Sequence, residues 1–239
     1  MANNLTNLVK GMRDTKFAST PLVMVGLFAT GLYAFLAIAD EVSENEIAAI
    51  DSHLLLMLRA PEDVSRPLGP PWLRETMTEI TSLGGYPVLI ILVGVVVGFL
   101  LVSKKYGPAL FAFLSIVSGT ALGHVLKLIY DRPRPEIVDH LVATHTASFP
   151  SGHATMSAVV YLTLASLIVR FVEDTVVRVY VIGIAVLLTV AIGISRIYLG
   201  VHWPSDVAAG WALGVAWASL SSLVVTGLRF YRHRNDASS

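Results

Sequence analysis

Long apolar runs recur along this chain, separated by short polar segments. A bilayer crossing needs roughly 17 to 25 mostly apolar residues. Six segments approach or meet that length: residues 21–39, 87–103, 108–128, 153–171, 179–194 and 206–228. The fourth and fifth carry polar residues at their ends. Only helices and closed barrels satisfy their backbone groups inside a bilayer, and runs of this length fit helices. The pattern therefore predicts an all-α integral membrane protein, a six-transmembrane-helix bundle forming a single domain over residues 1–239, with no internal repeat. Ala37-Ile38-Ala39 resembles a signal-peptidase site, but the apolar run before it is long and its basic leader extended, so an uncleaved first helix is expected.

The segment 41–86 has a different periodicity. Ile47, Ile50, Leu54, Leu55 and Leu58 recur at helical spacing, as do Trp72, Thr76, Met77, Ile80 and Leu83. Two amphipathic helices at the outer interface, parted by a break at residues 67–71, are expected here. They would serve as membrane-surface packing or as a rim shaping lipid entry. Gly119 with Gly123, and Gly210 with Gly214, have GxxxG spacing and predict close helix approach.

Composition agrees with the pattern. The 239 residues are 54% hydrophobic and 14% charged, with formal net charge zero, and the mean hydropathy is +0.68. Nothing in that balance points to nucleic acid. The chain has no cysteine, which excludes disulfides, thiolate nucleophiles and cysteine metal sites.

Charge placement sets the orientation. Lys10, Arg13 and Lys16, then Lys104 and Lys105, then Arg170 and Arg178, and finally Arg229, Arg232 and Arg234 fall on one side of the six runs. That side is expected to be cytoplasmic, with both termini inside. Lys127, Arg132, Arg134 and Arg196 then lie on the outer face, against the usual bias.

Three clusters gather on that face, and each has an ordinary explanation beside a chemical one. In the first, Lys127 is followed by Arg134-Pro135, with Pro133 and Pro135 stopping the third helix. These cations either snorkel at an interface or hold a phosphoryl group. The second, Pro150-Ser151-Gly152-His153, reads as a plain helix start, or as an anion site at a helix N-terminus with His153 as a general acid. In the third, Ser195-Arg196 precedes His202 and Asp206, with Pro204 at the first position of the last helix. Asp206 either caps that helix or reaches back to one nitrogen of His202, leaving the other free to attack. The joint placement of cations, helix-end donors, two histidines and an acid favours an anion-processing site.

In order and in spacing, Lys127-x6-Arg134-Pro135, Pro150-Ser151-Gly152-His153 and Ser195-Arg196-x5-His202-x3-Asp206 resemble the three signature motifs of the type 2 phosphatidic acid phosphatase (PAP2) family. Thr81-Ser82-Leu83-Gly84-Gly85 is similar to a turn its members carry before the second span. The resemblance implies a six-helix membrane core, a metal-independent phosphatase without cofactors, and a site shared with vanadium haloperoxidases. It implies His202 as the nucleophile that becomes phosphohistidine, Asp206 as its orienting group, and His153 as acid and then base. Lys127, Arg134, Ser151, Gly152 and Arg196 would hold the phosphate.

The expected partner is a membrane lipid phosphate at the outer leaflet of a bacterial inner membrane. Undecaprenyl diphosphate ranks first, phosphatidylglycerol phosphate or phosphatidic acid second, and a lipid A phosphate third. A vanadate-type haloperoxidase and a non-catalytic lipid-binding or transport protein are the alternatives from other classes. Arg132, extra to the signature, is expected to touch a second phosphate or to sit among solvent and headgroups. His124 is expected to make an interhelical hydrogen bond.

Overall fold

The computed structural model describes residues 2–143 and 146–236, with side chains for 21–143, 146–228, 230 and 231. The side chains of Lys10, Arg13, Lys16, Arg229, Arg232 and Arg234, which carry much of the predicted orientation, lie outside that set. Among the described residues there are eight α-helices and one two-stranded hairpin.

The long helices are α1 (Ala2–Ser43), α4 (Tyr86–Val102), α5 (Tyr106–Tyr130), α6 (Gly152–Ile168), α7 (Thr175–Tyr198) and α8 (Pro204–Asp236). Between α1 and α4 lie α2 (Ala48–Leu56), the hairpin β1 (Arg59–Ala60) and β2 (Asp63–Pro67), and α3 (Pro71–Ser82). The hairpin was not expected. Pro61 and Glu62 form its turn, and Asp63 accepts hydrogen bonds from the backbone and hydroxyl of Ser65, at 3.0 and 2.6 Å, which fixes the second strand's start.

Among the described residues, four helical segments are long and apolar enough to cross a membrane: residues 21–43, 106–130, 175–198 and 204–228. A fifth is possible if α3 and α4, bent by 44° at the Leu83–Gly85 break, count as one span. Leu22, Tyr33, Ile90, Val102, Leu128 and Val179 are among the large apolar side chains that face outward from these helices. An outward face of this kind fits a hydrocarbon surround, and the chain is a multi-pass membrane protein.

Helix α6 is the axis of the bundle. Ala154, Ala158, Val159 and Thr163 are at most 1% exposed, and α5, α7 and α8 pack around them. At 17 residues it is only about 26 Å long, and its start, at Ser151 and Ala154, is buried in the protein. Small residues make the packing possible. A Cβ on Gly210 would stand 2.9 Å from the Cβ of Ala154, one on Gly119 would stand 2.5 Å from the Trp217 ring, and one on Gly214 would overlap Ala158. Gly31 of α1 meets the backbone of α8 at Ala212 and Ala216 in the same way. Both GxxxG pairs thus lie at helix contacts, although Gly123 is less tightly held, with Thr155 at 3.4 Å.

His124 makes the expected interhelical bond, its Nε2 standing 2.7 Å from the hydroxyl of Tyr86 on α4. Trp217 and Trp211 donate to the carbonyls of Ser115 and Thr189, at 2.9 and 3.0 Å, tying α8 to α5 and α7.

Gly214→Ala is expected to destabilise the protein by about 1–3 kcal/mol through overpacking against Ala158. Gly98→Ala, where the new methyl meets nothing within 4 Å, is expected to be neutral or to stabilise α4 by up to ~1 kcal/mol. Thermal unfolding of both variants in detergent checks the opposite signs.

Candidate active site

The three motifs come together where α5 ends, α6 begins and α7 turns into α8. Asp131, at φ 39°, ends α5 and turns the chain into the extended Arg132–Pro135 segment. That segment runs beside the approach to α6, where Ser148 donates its N–H to the carbonyl of Arg132 at 2.8 Å. Ser151 is the N-cap of α6, its Oγ accepting from the N–H of Ala154 at 3.5 Å. The first-turn N–H groups of a helix have no partner within it, so this end presents donors and a partial positive charge.

Lys127 lies across that helix end. Its Nζ donates to the carbonyl of Ala147 at 2.6 Å, and its Cε is 3.4 Å from where a Cβ on Gly152 would sit. Arg134 is held by the carbonyls of Thr146 and Val201, at 2.8 and 2.5 Å, so that its Nη1 stands 3.3 Å from Nε2 of His202. Burial lowers the Arg134 pKa, and Asp206 opposes that shift; a guanidinium stays charged at neutral pH regardless. Arg196, 5% exposed, donates to the hydroxyl of Thr81 at 3.1 Å, and its Nε has no hydrogen-bond partner. Thr81 belongs to the turn singled out in the sequence, and the same turn sets Gly84 beside His153, where a Cβ on the glycine would stand 3.5 Å from the ring.

His202 is 2% exposed. Its Nδ1 faces the Oδ2 of Asp206 and the hydroxyl of Ser148, each at 3.4 Å, while Nε2 points toward Arg134. Burial pushes its pKa down to about 3, against the pull of Asp206. The resting imidazole is neutral, with Nε2 turned to the cations. His153, half-buried on the first turn of α6, lies within electrostatic reach of Arg196, His202, Lys127 and Arg134.

Asp206 is fully buried and richly bonded. As the third residue of α8 it accepts the N–H of Trp203 at 2.9 Å, closing the helix end. It also accepts from the hydroxyl of Ser148 and, at 2.6 Å, from Nη1 of Arg132. The carboxylate that caps α8 is thus also the one that faces Nδ1 of His202.

Arg132 departs from expectation. Its guanidinium, 12% exposed, bridges two buried carboxylates, Asp206 and, at 2.8 Å, Asp51 of α2. Two buried carboxylates need a countercharge, and the guanidinium between them supplies it. Ser148 and Asp51 were missed in the sequence. A signal existed for Asp51: it is the lone acid on the apolar face that runs through Ile47, Leu55 and Leu58. Among the described residues, no three His, Asp or Glu side chains converge as a metal-binding group.

Residues 108–230, just over half of the chain, match the PAP2 superfamily. Phosphatidylglycerophosphatase B of Bacillus subtilis is 35% identical over 187 residues, covering 76% of this chain and 86% of that protein. An undecaprenyl-diphosphatase of Sulfolobus acidocaldarius is 33% identical over 128 residues, 52% of this chain and 56% of its own length. Among solved structures, a transmembrane PAP2 type phosphatidylglycerolphosphate phosphatase from Bacillus subtilis superposes with a TM-score of 0.71 at 31% identity, covering 82% of this chain and 94% of that one. Aquifex aeolicus LpxE gives 0.54 at 28% identity, covering 72% and 94%. With its three motifs converging at one end of a helical membrane bundle, this chain belongs to the PAP2 superfamily and is a phosphoric monoester or diphosphate hydrolase.

Proposed function

We propose that the chain is a metal-independent lipid phosphatase that works through a phosphohistidine at His202. The observation that carries this reading is the placement of a buried, neutral His202 between Asp206 on one nitrogen and Arg134 on the other, beside the N-terminus of α6. Nε2 of His202 attacks phosphorus, and the bond to the lipid oxygen breaks. His153 gives that oxygen its proton, then takes one from the water that releases inorganic phosphate. Lys127, Arg134, Arg196, Ser151 and the N–H of Gly152 hold the three equatorial oxygens where charge spreads in the transition state. These fixed cations supply the charge that a magnesium ion supplies in other phosphoryl-transfer sites.

The reading includes six spans, with α6 counted despite its length and α4 counted alone. It places both termini in the cytoplasm and the site at the outer face of a bacterial inner membrane. Undecaprenyl diphosphate is the first substrate, on the same chemistry of a lipid phosphate at the outer leaflet. Phosphatidylglycerol phosphate is favoured as the second by the extent of the match to a phosphatidylglycerophosphatase.

The purified protein in detergent and excess EDTA is expected to release phosphate from undecaprenyl diphosphate, with phosphatidylglycerol phosphate, phosphatidic acid and lipid A measured beside it. His202→Ala is expected to abolish release. Loss of wild-type activity in EDTA, restored by magnesium, would refute metal independence.

The pH profile gives a second test. Because the His202 pKa is lowered, its neutral form persists as pH falls through 6.5, and the acid limb of kcat/KM is expected well below that value. In kcat, which reports the substrate-bound enzyme, the alkaline limb is assigned to loss of the proton that a bound phosphate, by offsetting Arg196, Lys127 and Arg134, holds on His153. His153→Ala is expected to remove that limb and to cost about 10²- to 10⁴-fold in rate. An unchanged profile in this variant contradicts the assignment.

A further inference from the structure

The chemistry above leaves one buried acid without a role. Asp51 of α2 is 1% exposed and lies in the segment between the first two apolar runs, far in sequence from the motifs. Its Oδ1 accepts the N–H of Ser205 at 2.8 Å, capping the first turn of α8 from another helix. Its Oδ2 accepts from the Ser205 hydroxyl at 2.5 Å and from Nη2 of Arg132 at 2.8 Å. The other terminal nitrogen of Arg132 donates to the Ser205 hydroxyl at 2.8 Å and to Oδ1 of Asp206 at 2.6 Å. The second oxygen of Asp206 is the one that faces His202.

We propose that Asp51 is a positioning residue for phosphoryl transfer, acting through Arg132 to fix the carboxylate of Asp206 and hence the orientation of His202. The proposal rests on the reading of His202 as nucleophile. A guanidinium is planar, and a carboxylate at each side fixes its plane. With Asp51 gone, Arg132 keeps one charged anchor and can swing toward the site's own anion. Oδ1 of Asp206 then has a less firmly held partner, and although Trp203 and Ser148 still bind Oδ2, the carboxylate that faces Nδ1 of His202 is less tightly set. Displacements on the order of 1 Å at a reacting centre cost about 10²-fold in rate.

The surroundings of Asp51 support a bracing role for the whole outer segment. Arg59 of β1 donates to the carbonyl of Tyr198 at 2.9 Å, and the Tyr198 hydroxyl donates to the carbonyl of Leu68 at 2.9 Å. Leu58, Leu73 and Met77 pack on Tyr198, Leu199 and Val201. The segment thus grips the α7–α8 loop on both sides of His202. Of these contacts, the ion pair from Asp51 is the one that leads through a charge to Asp206.

The test compares full-length wild type with Asp51→Asn, Asp51→Glu, Arg132→Gln and the Asp51→Asn/Arg132→Gln pair, each checked by thermal unfolding. Asp51→Asn is expected to lower kcat roughly 10- to 100-fold with KM near the wild-type value. Asp51→Glu, which keeps the charge, is expected to recover part of the loss, and it carries the comparison if the amide variant does not fold. In the Arg132→Gln background, Asp51→Asn is expected to cost little more, because its effect passes through the missing guanidinium.

Wild-type kcat in a folded Asp51→Asn protein overturns the proposal, as does a loss that simply multiplies with that of Arg132→Gln. Orthovanadate affinity separates this idea from the broader reading, since vanadate needs His202 but no lipid. If wild type releases phosphate from none of the lipids, weaker vanadate binding by Asp51→Asn upholds the positioning role while the lipid-phosphatase reading falls. Equal vanadate binding in that case overturns both.

Discussion

Two carboxylates, Asp51 and Asp206, are buried at one end of this bundle, and a single guanidinium stands between them. Removing one partner of such a buried pair typically costs about 3–5 kcal/mol, because the other charge is left without compensation. That constraint ties together segments that are remote in sequence. The end of α5 must deliver Arg132, α2 must bring Asp51, and the first turn of α8 must present Asp206. Ser148, in the approach to α6, completes the set through its hydroxyl. His202 meets this network where its Nδ1 faces Asp206.

The rest of the bundle serves the same end. Because α6 is surrounded by α5, α7 and α8, its N-terminus sits inside the protein, where its partial charge is shielded less by water. The close approach of α8 at Gly210 and Gly214 sets the distance between Ser151 and Asp206, whose backbone groups bond directly at 2.9 Å. Glycines that read as helix-packing devices in the sequence therefore also determine how the second and third motifs meet.

Much of this was legible in the sequence, for stated physical reasons. The apolar runs announced the long helices because hydrocarbon demands length and continuity. The bounds of α5 and α7 run past the apolar core because polar residues continue a helix beyond the bilayer. The meeting of the three motifs was legible because cations, histidines and an acid recur at helix ends in fixed spacings. The hairpin between α2 and α3 was not, since it is short and its strands lack an alternating apolar face. The partner of Arg132 was hidden because Asp51 lies 81 residues away, and no periodicity links an acid on one amphipathic helix to a cation beyond another span. Read alone, an arginine beside a phosphate motif invites a phosphate role; the structure gives it a structural anion instead.

The central claim is that the buried network presents Nε2 of His202 as the nucleophile. Rapid acid-free quenching of the protein during turnover of a phosphate-labelled lipid, followed by peptide mapping, tests it most directly. The account predicts an acid-labile, alkali-stable phosphoryl group on His202 that forms and decays at rates consistent with turnover. Full turnover with no label on His202, or with the label on another residue, would contradict it.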